Sequence, residues 1–229
     1  MDMEKVIFDG IHNMGYKHEY GEGEYRVSEL PYCMRKSLYR RKFGTKTELK
    51  GIMFQGTLFH EAVENIIKAG LAYKDGLSKA LPIKIPSLEF EVSCSKPFKG
   101  EDNKFILIKG HADAISDDTV YEFKFTGSDP DKYGGDVPVA YAAQANLYAF
   151  ILGKKFCSTV LVNRNNLKVW EFKLETDQVA AEYLCSKGII IDRSLKSGNI
   201  PDGPEHSWEC KGRWGKCDFY DICNTSKEK

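Results

Sequence analysis

Asp113 and the triplet Glu122-Phe123-Lys124 place two carboxylates and an ammonium on two short segments that the sequence folds back on each other. The segments KFILIKGHADAI (104–115) and TVYEFKFT (119–126) are rich in β-branched and aromatic residues, and Ser116-Asp117-Asp118 between them has turn chemistry. A turn centred on Asp117-Asp118 predicts that Asp113 faces Glu122, Ile115 faces Val120 and His111 faces Lys124. Ala114, Ala112 and Gly110 then oppose Tyr121, Phe123 and Phe125, small against large. Two carboxylates directly opposed at roughly 5 Å repel each other. A divalent cation between them removes that penalty, and Mg²⁺ or Mn²⁺ is the hard, oxygen-seeking choice. Such an ion acidifies water and neutralises charge on a phosphate, which is the chemistry of phosphodiester hydrolysis. Lys124 shares the face of Glu122, where its ammonium can orient the attacking water or stabilise a developing oxyanion. A solvated hairpin face is the plain alternative for these three residues alone, because D…ExK is a short pattern.

Other elements must position and complete this patch. Ser28 is placed to cap a helix running from Leu30 to Phe43. Residues 50–70 carry Phe54, Leu58, Phe59, Ala62, Val63, Ile66 and Ile67 at intervals of three and four, which predicts a helix with one buried stripe. His60 lies beside that stripe. It is either a hydrogen-bonded structural histidine or an imidazole that completes the coordination begun by Asp113 and Glu122. A polar linker is expected over 71–81, a strand over 83–93 and a flexible loop over 127–136. Pro138 opens and Gly153 closes a further helix, on which Tyr141, Gln144 and Tyr148 share one face. That stripe either borders the core or grips a nucleotide by amide hydrogen bonds and stacking. Strands over 156–162 and 169–174 and a helix over 176–195 complete one α/β domain with a mixed central sheet.

The chain has 229 residues, 42% of them hydrophobic, enough for one good core. Its first residues carry no basic-then-apolar signal pattern and its most apolar stretch, 137–153, includes Gln144 and Asn146, so the expectation is a cytoplasmic protein without a membrane span. With 33 basic and 33 acidic residues the net charge favours no partner. Locally, Arg35, Lys36, Arg40, Arg41, Lys42, Lys46 and Lys50 cluster with Tyr32, Tyr39 and Phe43 among them, a mixture suited to phosphates and bases or to a solvated basic helix face.

Seven cysteines make an odd count, and a disulfide framework is unexpected in the cytoplasm. Cys94, Cys157 and Cys185 sit in apolar or mixed patterns and are expected to be small core residues. Cys210, Cys217 and Cys223 fall within fourteen residues, and Cys33 stands far upstream. Zinc sites pair ligands at shorter gaps. Three thiolates at irregular spacing plus a distant one suit a four-cysteine 4Fe-4S cluster better, which would clasp the N-terminal helix to the tail. Zinc and free thiols remain the competing uses.

Taken in order, Cys33, GTLFHEAVE with His60, GHAD with Asp113, EFK with Glu122 and Lys124, QANLY with Gln144 and Tyr148, and Cys210, Cys217 and Cys223 resemble the RecB-type branch of the PD-(D/E)xK nuclease superfamily. Within it the pattern is most similar to the iron-sulfur exonuclease family that is fourth among the CRISPR-associated proteins, and it spans about residues 28–223. No proline precedes Asp113, a departure that other members of this branch share. The resemblance implies a restriction-endonuclease-like core over 1–229, with 28–45 and 205–224 forming an iron-sulfur lobe. It implies a metal-dependent DNA exonuclease acting on single-stranded or splayed ends, trimming spacer precursors for the CRISPR adaptation integrase. His60, Asp113, Glu122 and the Phe123 carbonyl would bind Mn²⁺ or Mg²⁺. Lys124 would be the catalytic lysine, with Gln144 and Tyr148 as the QxxxY element, and Cys33, Cys210, Cys217 and Cys223 would hold the cluster. A DNA repair or recombination nuclease of the AddB or RecB kind is the alternative with the same chemistry, and a non-catalytic DNA-binding assembly module is the alternative without it.

Overall fold

The computed structural model describes residues 21–44, 51–78, 87–100, 103–133, 135–204, 207–212 and 215–225. The order is β1 (Glu24–Arg26), α1 (Met34–Phe43), α2 (Gly51–Ser78), β2 (Glu89–Lys99), β3 (Phe105–Ile115), β4 (Thr119–Thr126), α3 (Val139–Leu152), β5 (Phe156–Asn163), β6 (Val169–Glu175), α4 (Gln178–Ser197), β7 (Lys211–Gly212), β8 (Gly215–Lys216) and α5 (Tyr220–Thr225). It is an α/β fold with a mixed six-stranded sheet flanked by helices.

The sheet runs β1-β3-β4-β5-β6, with β2 also paired to β3. The β1–β3 and β4–β5 pairs are parallel and the others antiparallel. The β3–β4 hairpin turns through Ser116, whose N–H donates to the Thr119 carbonyl at 2.8 Å, and its register pairs Ala114 with Tyr121 and Ile115 with Val120, as expected. Beyond Ala114 the ladder stops. β2 occupies one edge of β3 along its length, so β1 and β4 share the other edge, β1 at 107–109 and β4 at 114–115. The sheet therefore splits along residues 110–113, and Asp113 does not form the ladder pair with Glu122 that the turn alone predicts.

One cluster packs α3 and α4 on the sheet, with Ala145, Leu147, Tyr148, Leu184 and Ile191 against Ile106, Ile108 and Ala112. The cysteines expected in the core lie there, Cys94, Cys157 and Cys185 all buried. Gly110 is required by a close approach: a Cβ would stand 2.8 Å from Tyr148 Cε1 and Oη. A second cluster seats α2 through Phe59 and Val63 against Ala114, Phe123 and Val162, with Phe59 stacked on Phe125 at 3.9 Å between centroids. Each such fully buried side chain contributes about 1.5–3 kcal/mol, and this seating fixes where His60 points.

Several expected boundaries move. The N-terminal helix begins at Met34 rather than near Leu30, because 28–32 is held in turns, with Glu29 accepting from the Arg26 N–H, the Ser37 hydroxyl and Arg41. Helix α2 continues through the expected linker to Ser78, and β2 starts at Glu89 and runs to Lys99, while 83–86 lie outside the described residues. Helix α3 is where expected, between Pro138 and a left-handed Gly153.

Candidate active site

The split in the sheet is where the polar residues gather. Asp113, at the end of the stretch of β3 that has neither β1 nor β4 on its second edge, accepts the Phe123 backbone N–H on Oδ2 at 2.7 Å. Its Oδ1 lies 3.4 Å from His60 Nδ1 on α2. Glu122 is buried, and its Oε1 receives both the Lys124 ammonium and Gln144 Nε2, the latter at 2.6 Å. Gln144 also reaches the Tyr148 hydroxyl. Lys124 Nζ stands 5.6 Å from the Tyr141 ring centroid, within cation–π range. Thus His60, Asp113, Glu122, Lys124, Gln144 and Tyr148 meet at one place, drawn from two helices and two strands.

Electrostatics follows from that burial. Desolvation pushes the Glu122 carboxyl up to about 7, against the pull of Lys124. Burial alone would lower the Lys124 pKa, yet the Glu122 and Asp113 carboxylates hold it above its usual value. The hydrogen bond to Asp113 raises His60, opposed by its own burial. Burial and the Glu122 and Asp113 charges hold Tyr148 un-ionised.

The donor set fits a hard divalent cation. Glu122 Oε2 is buried with no hydrogen-bond partner, an arrangement that costs about 1–3 kcal/mol or more for a charged group and that an ion would relieve. An imidazole and two carboxylates are suitable ligands for Mn²⁺, and carboxylates for Mg²⁺. Among the described residues, no group of three His, Cys, Asp or Glu is close enough together to hold a metal ion as it stands, and Asp113 and Glu122 are engaged by Phe123, His60, Lys124 and Gln144.

The four cysteines singled out by spacing line one small cavity of about 30 Å³, together with Arg35, Lys36 and Tyr39. None forms a disulfide. Arg35 Nη1 donates to Cys223 Sγ at 3.5 Å, and the Cys33 N–H donates to Glu209 at 2.7 Å. Leu38, Tyr39 and Phe219 pack between α1 and the tail, against Cys217 and Cys223. The structure thus brings the four thiols to one cavity beside two cationic side chains, without grouping three of them closely enough to hold a metal ion as they stand.

Two residues of the basic segment serve the fold. Arg41 pairs with Glu29 and lies 4.2 Å over the Tyr25 ring, and Arg35 donates to the Pro201 carbonyl at 2.7 Å. Lys46 and Lys50 lie outside the described residues. Sequence reasoning missed Glu91, which falls opposite Asp113 in the β2–β3 register and breaks that ladder with a left-handed φ of 52°. Its carboxyl is raised by burial and by Asp113. Counting the register of β2 against β3 would have placed it there, but its conformation has no signal in the chain.

No protein-family model and no curated protein matches the chain. Among solved structures, the crystal structure of SSO0001 is similar with TM-score 0.70 and 19% identity, covering 97% of this chain and 96% of that one. An alkaline exonuclease (LHK-Exo) from Laribacter hongkongensis is similar with TM-score 0.51 and 15% identity, covering 77% of this chain and 90% of that one. At these identities the likeness is one of fold. Among the described residues, no helix is long and apolar enough to cross a membrane.

Proposed function

We propose that this protein is a metal-dependent deoxyribonuclease that cleaves DNA from single-stranded or splayed ends. The observation that carries the reading is the meeting of His60, Asp113, Glu122 and Lys124 at the split between β3 and β4, with one Glu122 oxygen buried and unpartnered. His60, Asp113 and Glu122, with the Phe123 carbonyl, would hold Mn²⁺ or Mg²⁺, which when bound supplies Lewis acidity toward the phosphate and a more acidic water. The chain's own groups do the rest. Phe123 N–H fixes the Asp113 carboxylate, and Gln144 fixes Glu122. Lys124 presents a protonated ammonium that orients the nucleophile and offsets the charge growing on the phosphate oxygens. Tyr148, kept neutral, is a hydroxyl donor at the same place.

Cys33, Cys210, Cys217 and Cys223 are proposed to hold a 4Fe-4S cluster that joins 28–45 to 205–224, supported by their common cavity. Trimming of spacer precursors beside a CRISPR integrase is the setting supported by the ordered motifs. The fold likeness to an alkaline exonuclease supports a second setting, DNA repair or recombination of the AddB or RecB kind.

The test is cleavage of end-labelled single strands with Mn²⁺ by wild-type protein, Asp113→Asn and Lys124→Ala. Wild-type protein should shorten the label progressively and the variants should not. Cleavage by either variant at the wild-type rate would reject the assignment. Comparing single strands, splayed duplexes and blunt duplexes, with and without the integrase, separates the two settings.

A further inference from the structure

A cavity of about 590 Å³ opens along β3 next to the site. Its floor is Leu107, Lys109 and His111, the alternate residues of the row that Asp113 continues. At about 3.3–3.4 Å per residue, His111 sits roughly 7 Å and Lys109 roughly 13 Å from Asp113 along the strand. One wall is Ser93 and Ser95 of β2, the register partners of His111 and Lys109. The other wall is Arg26 of β1, paired to Lys109. Tyr148, packed on Gly110, closes the inner end and links the cavity to Glu122 through Gln144.

The lining is a row of donors. Lys109 is engaged by Glu24, whose carboxylate also borders the cavity. Arg26 is different, since its Nε is buried and has no hydrogen-bond partner. A guanidinium, an imidazole and hydroxyls in a line suit phosphodiester oxygens. Tyr148 is the one aromatic ring in the lining apart from the His111 imidazole, so base stacking has little to grip. The volume is that of a small-molecule pocket, about 300–1,000 Å³, room for a short stretch of one strand.

We propose that this cavity is a sequence-independent subsite for the single strand flanking the scissile phosphate, with Arg26 as its principal phosphate anchor. The proposal rests on the nuclease reading for its orientation, and binding tests it separately from cleavage. Fluorescence anisotropy with labelled oligo-dT, in chelator so that nothing is cut, compares wild-type protein with Arg26→Gln and with Ser95→Glu. Ser95 is exposed on its strand, so the second variant keeps the question answerable should the first fail to fold. Affinity should fall about 10-fold in each. For Arg26→Gln the slope of log K against log salt should become shallower by about 0.7, the value for one lost contact on a single strand. In Mn²⁺ the same variants should raise KM on long strands. Unchanged affinity and slope in the folded variants, or no binding by wild-type protein, would overturn the proposal. Weakened binding in the variants together with no cleavage by wild-type protein would sustain the subsite and reject the nuclease reading.

Discussion

The Phe123 backbone N–H donates to Asp113 Oδ2 at 2.7 Å, replacing the next rung of the β3–β4 ladder with a side-chain bond. The bond satisfies an amide that the split would otherwise orphan and turns the other Asp113 oxygen toward His60. Structure and chemistry therefore depend on the same carboxylate, and substitutions can separate the two. An Asn at 113 keeps an acceptor for Phe123 and loses the charge. Asp113→Asn should stay within about 1 kcal/mol of wild-type stability, while Asp113→Leu, leaving a buried amide unpaired, should lose about 1–3 kcal/mol. Both should abolish cleavage. Urea denaturation and the end-labelled assay read the two effects, and equal stability of the two variants would show that the bond carries no weight.

Glu122 and Lys124 form a buried pair. Removing one partner leaves the other with less compensation, Lys124 retaining Asp113 in the one case and Glu122 free to protonate in the other, so Glu122→Gln and Lys124→Met should each destabilise by about 1–3 kcal/mol, and the double variant by less than their sum. A double-mutant cycle by thermal or urea unfolding measures this coupling. Simple additivity would mean the two charges do not rely on each other for burial.

Gly110→Ala should cost about 1–3 kcal/mol by overpacking, since the new methyl meets Tyr148. It should also weaken cleavage, because displaced Tyr148 pulls on Gln144 and through it on Glu122. Activity equal to wild type, at reduced stability, would show that the QxxxY pair acts only in packing.

Much of this arrangement was legible in the chain. The turn at Asp117-Asp118 fixed the hairpin register at Ala114 and Ile115, whereas the apolar stripe expected on α2 holds only in part: Phe59, Val63 and Ile67 pack on the sheet beside His60, and Leu58 and Ile66 are exposed. What escaped was tertiary. Nothing local shows that β1 and β4 share one edge of β3, so the split, the Phe123–Asp113 bond and the cavity beside them could not be foreseen. Within the basic segment, the sequence did not show that Glu29 draws Arg41 inward. Periodicity counts charges without showing which ones the fold consumes.

The cysteines divide cleanly by place. Anaerobically purified protein should be brown and contain iron and sulfide, and Cys33→Ser, Cys210→Ser, Cys217→Ser or Cys223→Ser should lose both, as expected for a four-cysteine cluster. Cys94→Ser, in the core and far from that cavity's lining, should keep them. Elemental analysis decides it, and stoichiometric zinc without iron would overturn the cluster.

Direct Mn²⁺ binding, followed by electron paramagnetic resonance on wild-type protein and on His60→Ala, Asp113→Asn and Glu122→Gln, reaches the account at its root. The account predicts a saturable site in wild-type protein that each of the three variants loses while remaining folded. Undiminished Mn²⁺ binding in all three would contradict it.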